Sequence, residues 1–262
     1  MIPTHLLAFL RNPNQFDDKY SRGVVGFITG SLDYPGAAIL GVTAAMRSGI
    51  GMVRYLGPRE VGELLLQVRP ETVLVDGKAQ CWVLGSGIVA DSTNIEKLQN
   101  CYDAADIAVV DAGAIQLINF DGGKTKTVIT PHAGELARIL RIERSEVEAH
   151  PAQFALAAAE SLKIYVLLKG NTSWIASPNG ELIELPNLSP ALSTAGTGDV
   201  LAGILGAILA SNHDRALSGS FVEILELGVQ LHSAAAEFAA EHGPVVALDV
   251  AESVRSVIAS LN

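Results

Sequence analysis

Short unbroken apolar runs, each followed by a helical pattern, recur along the first two thirds of the chain. Val24-Val-Gly-Phe-Ile28, Cys81-Trp-Val-Leu84 and Ile107-Ala-Val-Val110 show no alternation with polar residues, and the apolar run 164–168 is closed at both ends by lysines. A strand with one wet face alternates apolar and polar side chains, whereas a strand covered on both faces does not. Doubly covered strands that alternate with helices need crossover connections. The pattern therefore predicts an α/β fold, a central and mostly parallel sheet with helices on both faces.

The strands expected on this basis cover 24–29, 51–56, 72–75, 82–84, 107–111, 127–129, 163–169, 173–177 and 181–185. The turn Pro178-Asn-Gly180 joins the last two as a hairpin. Helices are expected over 37–48, 58–67, 91–101 with Asp91 as N-cap, 134–140, 151–162, 198–210, 220–241 and 249–260. The helix over 37–48 is built from very small residues, which lets its backbone approach a sheet or a ligand closely. No repeat, low-complexity tract or linker interrupts the 262 residues, so a single domain is expected, with residues 1–20 as an N-terminal arm.

Half of the residues (49%) are hydrophobic and only 5% aromatic, enough for a large core without disulfides or metals. The net charge of −10 argues against nucleic acid as a partner, because duplex binding needs basic surface. Cys81 and Cys101 belong to no CxxC pair or zinc spacing, which points to free thiols in a reducing compartment. The first ten residues lack a charged n-region and a cleavage site. The longest apolar stretch, 200–210, is too short to span a bilayer. These features predict a cytoplasmic protein without a membrane partner. The apolar C-terminal helices are the expected surface of a homo-oligomer.

Ala195-Gly-Thr-Gly-Asp199 carries the sharpest chemical signal. Its glycines let backbone N–H groups converge where a long helix begins, an arrangement that binds phosphate through unpaired amides and the helix dipole. Asp199 would repel the same anion, so its presence asks for a reason. A carboxylate there can take the proton of a hydroxyl as that oxygen attacks a phosphoryl group. The competing explanation is that Thr197 and Asp199 only cap the helix. Capping leaves the two glycines unexplained.

Three more loops end strands. Thr130-Pro-His-Ala-Gly-Glu135 puts His132 and Glu135 three apart, able to face one pocket, with Glu135 suited to organise water around a magnesium ion; an acidic first helical turn explains the same residues. Leu167-Leu-Lys-Gly-Asn-Thr-Ser173 sets Lys169 at the end of a buried strand, to face a nucleotide phosphate or merely to flank the strand. Gly30-Ser31 and Pro35-Gly-Ala-Ala38 offer a wall for a second substrate. Two further patterns are decoys or rivals. Gly122-Gly-Lys-Thr125 resembles the end of a P-loop, but Ile118 stands where that pattern needs glycine. Gly85-Ser-Gly-Ile-Val-Ala90 fits a dinucleotide fingerprint, with Asp103 or Asp106 near the acidic position, or else is a glycine loop lining a pocket. His5, His150, His213, His232 and His242 fall in no recognisable pattern and read as surface or helix residues.

Taken in order, these pieces resemble the ADP/ATP-dependent NAD(P)H-hydrate dehydratases of the ribokinase-like superfamily. The resemblance runs from about Lys19 onward. It rests on Gly30-Ser with Tyr34-Pro-Gly-Ala-Ala38, Met46-Arg-Ser-Gly-Ile-Gly51, Leu84-Gly-Ser-Gly87, Thr130-Pro-His-Ala-Gly-Glu135, Leu168-Lys-Gly-Asn-Thr172 and Ala195-Gly-Thr-Gly-Asp-Val-Leu-Ala-Gly203. It implies a ribokinase-like fold and the repair of hydrated NADH and NADPH. ADP or ATP would phosphorylate the ring hydroxyl of the S-form, phosphate would leave, and the nicotinamide double bond would return. It implies Asp199 as the catalytic base and Ala37, Gly87, His132 and Asp199 at the hydrate. Lys169, Gly170, Asn171, Thr172, Ser173 and Gly198 would lie at the nucleotide, with Ala195, Gly196, Thr197 and Gly198 as an anion hole. Two departures stand out. Ser86 occupies a position that is usually proline, and a glycine usual near Val89 is missing. The sequence carries no counterpart of the epimerase domain fused in some relatives, so epimerisation of the other hydrate isomer is expected elsewhere.

Two rival functions fit parts of the pattern. A thiamin-precursor kinase, acting on hydroxyethylthiazole or hydroxymethylpyrimidine, would share Gly-Thr-Gly-Asp, but His132, Glu135 and the Tyr34 loop favour the dehydratase. A catalytically idle nucleotide-binding protein would not need Asp199.

Overall fold

The computed structural model describes residues 2–89, 92–121 and 126–261. Its elements follow as β1 (Val24–Ile28), α1 (Pro35–Arg47), β2 (Met52–Tyr55), α2 (Arg59–Val68), β3 (Cys81–Leu84), α3 (Ser92–Asp103), β4 (Ile107–Val110), α4 (Ala114–Leu117), β5 (Lys126–Ile129), α5 (Ala133–Leu140), α6 (Arg144–Ala149), α7 (Pro151–Leu162), β6 (Tyr165–Leu168), β7 (Ser173–Ala176), β8 (Leu182–Leu185), α8 (Thr197–Ser211), α9 (His213–Ser218), α10 (Phe221–Ala240) and α11 (Ala247–Ser260).

The strands form one eight-stranded sheet in the order β2-β1-β3-β4-β5-β6-β7-β8. Every pairing from β2 to β6 is parallel, and the hairpin β7–β8 extends the sheet antiparallel. The unbroken apolar strands have their physical cause here. Val25, Val83, Val109 and Val128 enter one core with α1, α2, α8, α10 and α11. Leu84, Val110, Ile129 and Val166 enter the other with α3, α5, α6 and α7. Each such side chain removed from water stabilises the fold by about 1.5–3 kcal/mol before entropy is counted. β2 and β3 flank β1 on opposite sides, so the loops leaving β1 and β3 diverge and open a crevice at the carboxyl edge of the sheet.

The small-residue helix α1 uses its smallness against another helix. A Cβ at Gly203 of α8 would fall on the carbonyl of Gly41 in α1, and a Cβ at Gly41 would come within 3.3 Å of the Asp199 carbonyl. The two helices thus meet backbone to backbone, and their N-termini lie at the carboxyl edge.

Some expectations change. Residues 72–75 form no strand. Val73 makes an isolated bridge to Arg54, and the Arg54 guanidinium takes the carbonyls of Val75 and Asp76 that a longer strand would offer. Lys163 does not begin a strand but closes α7 in the left-handed conformation (φ 59°). The short helices α4, α6 and α9 were not expected; they are too brief to show a periodicity. The N-terminal arm is seated on the fold: Leu6 is fully buried, and Asn212 and Arg215 bond the carbonyls of Phe9 and Ala8. Gly122-Gly-Lys-Thr125, Ala90 and the expected N-cap Asp91 lie outside the described residues. Cys81 and Cys101 are free thiols, and burial raises the pKa of both, Cys101 to about 12. No helix among the described residues is long and apolar enough to cross a membrane.

Candidate active site

Four loops leave the carboxyl ends of β3, β4, β5 and β6, and their residues converge on one buried carboxylate. Asp111, directly after β4, is 2% exposed. Its Oδ2 accepts from the Ser86 hydroxyl at 2.9 Å, and its Oδ1 accepts from the Thr130 hydroxyl at 2.6 Å and from Lys169 Nζ at 2.8 Å. Burial alone would raise the pKa of Asp111. The Lys169 ammonium and the bonds from Lys169, Thr130 and Ser86 outweigh it and hold the carboxyl below the usual range. Lys169 balances the opposite way: burial disfavours its charge, but Asp111 first, then Glu135 and Asp199, keep it protonated.

Above this floor stands the first turn of α8. Gly196 is its N-cap, at φ 91°, a left-handed conformation that suits glycine. No side chain caps the helix. The capping explanation for Thr197 and Asp199 therefore falls: the Thr197 hydroxyl donates back to the carbonyls of Leu192 and Thr194. The first-turn amides have no intrahelical partner and carry the positive end of the dipole. A Cβ at Gly198 would come within 3.3 Å of Lys169 Nζ, so cation and amides share one spot. Asp199, half-buried in the same turn, has its pKa pushed up to about 6 by burial and then by the charge of Asp111, against the pull of Lys169 and of the nearby Ser86 hydroxyl.

His132 and Glu135 form a capping box at the start of α5. His132 Nδ1 accepts from the amides of Gly134 (3.0 Å) and Glu135 (3.3 Å), and a Glu135 carboxylate oxygen accepts from the His132 amide at 2.9 Å. The pair does start a helix, and the His132 ring also lines a cavity that Lys169 and Thr172 share. The charge of Glu135 acts on Lys169. Among the described residues no group of three or more His, Cys, Asp or Glu could hold a metal ion. A magnesium ion carried by a nucleotide needs only one or two protein carboxylates beside phosphates and water, which Glu135 fits.

The remaining expected residues divide between three places. Ala37 and Gly87 pack together where the β1 and β3 loops meet: a Cβ at Gly87 would come within 2.7 Å of the Ala37 methyl. Lys169, Gly170, Asn171, Ser173, Thr197 and Gly198 line a cavity of about 330 Å3 beside α8 and α10. Thr172 instead lines a neighbouring cavity of about 510 Å3 together with His132. The loop after β3 does not build the pyrophosphate cradle of a dinucleotide fingerprint, since Ser86 is spent on a buried carboxylate that would repel that anion.

The model of the family described as NAD(P)H-hydrate dehydratase matches residues 25–255. The chain belongs to the NAD(P)H-hydrate dehydratase family. The "ADP-dependent (S)-NAD(P)H-hydrate dehydratase" of Xanthomonas campestris is 32% identical over 78% of this chain and 79% of its own. The "Bifunctional NAD(P)H-hydrate repair enzyme Nnr" of Mycobacterium tuberculosis is 37% identical, over 76% of this chain but only 43% of its own length, so this chain spans less than half of that relative. Among solved structures, the ADP/ATP-dependent NAD(P)H-hydrate dehydratase of Bacillus subtilis, co-crystallised with ATP and magnesium, superposes with a TM-score of 0.86 at 25% identity, covering 98% of this chain and 96% of its own. These likenesses carry the ribokinase-like fold expected from the sequence.

Within this dehydratase-family fold, four residues around the site have no role assigned from the sequence. Asp111 was only the end of a strand, though a lone acid closing an all-apolar run is a signal. Ser86 was only a departure from the family pattern, and Thr130 only part of a motif. His232 read as a surface or helix residue; it is 5% exposed and lines the cavity beside α8.

Proposed function

We infer that this chain dehydrates the S-form of NADH or NADPH hydrate at the expense of ADP or ATP. The observation that carries the reading is Asp199: a carboxylate whose pKa is raised to about 6, in the first turn of a glycine-capped helix and beside a lysine, in a chain of the dehydratase family. A base of that strength is largely ionised at neutral pH yet still accepts a proton readily. Asp199 takes the proton of the ring hydroxyl as that oxygen attacks the terminal phosphoryl group. The amides of residues 195–198 and the Lys169 ammonium bind the charge that builds on the phosphoryl oxygens. The ring nitrogen then supplies the electron pair that expels phosphate from carbon, and the adjacent ring carbon gives up a proton to solvent as the double bond re-forms. The transferred phosphoryl group serves to expel water, which makes the enzyme a carbon–oxygen lyase.

The walls follow from the same reading. Ala37, Gly87 and the outward ring of His132 line the hydrate. Lys169, Gly170, Asn171, Thr172, Ser173 and Gly198 hold the nucleotide. Glu135, through water, is the carboxylate for magnesium, which supplies charge neutralisation at the phosphates when bound. The protein then works in the cytoplasm on small molecules.

The family match favours this reading over a thiamin-precursor kinase. The deciding assay incubates the protein with hydrated NADH, magnesium and either ADP or ATP, and follows the reduced-nicotinamide absorbance. Recovery with one of the nucleotides is the expected result. No recovery with either, together with phosphorylation of a thiazole or pyrimidine alcohol, would move the assignment to the kinase.

A further inference from the structure

The lining of the cavity beside α8 joins two kinds of chemistry. Lys169 and Gly198 are polar. Leu188 and Leu192 from the loop before α8, Leu201 of α8 and Val229 of α10 form an apolar wall. One side chain breaks that apolar wall. His232, three residues after Val229 on α10, lines the same cavity and is 5% exposed. Its Nε2 has no hydrogen-bond partner among the described residues. Other buried polar side chains of the wall are spent locally: Thr197 on the carbonyls of Leu192 and Thr194, Ser173 on Gly170.

A buried polar atom without a partner weakens a fold, and in a native structure it asks for an explanation. Leucine would fill this wall without that cost. Charge does not explain the histidine. Burial first, and then the Lys169 ammonium, push its pKa down to about 3 despite the opposing Thr197 carbonyl, so the ring is neutral at any physiological pH. A neutral imidazole offers one N–H and one lone pair, which is poor equipment for a phosphate and good equipment for the nitrogen-bearing edge of a heteroaromatic base. The flanking Leu and Val side chains suit the flat faces of the same ring, while Lys169 and the α8 amides suit phosphates.

We propose that His232 holds the base of the nucleotide, its unpartnered ring nitrogen hydrogen-bonding the base edge while Leu201 and Val229 pack against the ring. This rests on the nucleotide reading of the cavity given above.

The test is equilibrium binding of ADP and of inorganic pyrophosphate, each with magnesium, to wild type and to His232→Leu. Wild type binds ADP well above pyrophosphate. The leucine variant loses about five- to thirty-fold in ADP affinity, keeps pyrophosphate within about twofold, and melts no lower than wild type. ADP affinity that does not change overturns the proposal. So does a parallel loss of ADP and pyrophosphate, which would assign His232 to support of the α8 N-terminus through Thr197. Should the leucine variant not fold, His232→Gln keeps a neutral donor and acceptor near the reach of Nε2 and retains ADP within about threefold; loss of ADP by the glutamine variant with pyrophosphate intact overturns the proposal. Wild type that binds no ADP removes the nucleotide reading and this inference together, whereas tight ADP binding by both wild type and His232→Leu removes this inference alone.

Discussion

Lys169 Nζ lies 2.8 Å from Asp111 Oδ1 across the intervening strand β5, with the carboxylate 3% and the lysine side chain 22% exposed. The pair is the floor of the site, and it fixes a cation against the first turn of α8. Position and charge are coupled in it. Asp111 keeps Lys169 protonated, and Lys169 keeps Asp111 ionised in a place where neither charge would survive alone.

Removing the lysine therefore strands a buried charge. Lys169→Met should lower unfolding free energy by about 3–5 kcal/mol in denaturant titrations. Adding Asp111→Asn to it should return most of that stability while turnover stays lost. A single mutant as stable as wild type would show that the pair contributes nothing to the fold.

Asp199→Asn keeps the shape of the α8 N-terminus and removes the proposed base. Turnover should drop by about two to four orders of magnitude, with ADP affinity changed by no more than about threefold. Near-normal turnover would take Asp199 out of the base role.

The raised pKa of Asp199 sets a pH profile. Only the ionised carboxylate accepts a proton, so the rate at saturation should fall about tenfold per unit below pH 6. Ser86→Ala removes a hydroxyl that lowers this pKa, and the acid limb should move to higher pH. A limb that stays in place would discount the serine. Stability carries the same sign. The folded chain holds the Asp199 proton to higher pH than the unfolded chain, so the contribution is complete below about pH 4 and is lost as pH rises through about 6. Asp199→Asn should therefore gain more denaturant stability, relative to wild type, at pH 8 than at pH 4.

Gly203→Ala adds a methyl group where α8 rests on the Gly41 carbonyl. The expected cost is about 1–3 kcal/mol, read as a lower denaturation midpoint, with a loss of turnover because Asp199 rides on the same helix.

The architecture was readable because its signal is long-range and redundant: doubly buried strands such as Ile107–Val110 need no partner in view to declare themselves. The glycine cradle was readable for the opposite reason, as a dense local pattern that capping could not explain. What stayed hidden depends on strands far apart in sequence. Asp111 gains meaning only when β4, β5 and β6 bring Ser86, Thr130 and Lys169 around it. His232 shows its burial only once α10 lies against α8. The isolated bridge at Val73 turned on one competitor, Arg54, that no propensity of residues 72–75 reveals.

The backbone contact between Gly41 and Gly203 also acts as a gauge. The distance from the Ala37 wall to Asp199 is set by the thickness of two main chains and not by side chains that drift in size. Two glycines therefore hold the spacing between Ala37 and Asp199 constant, and the rest of either helix is free to diverge around them.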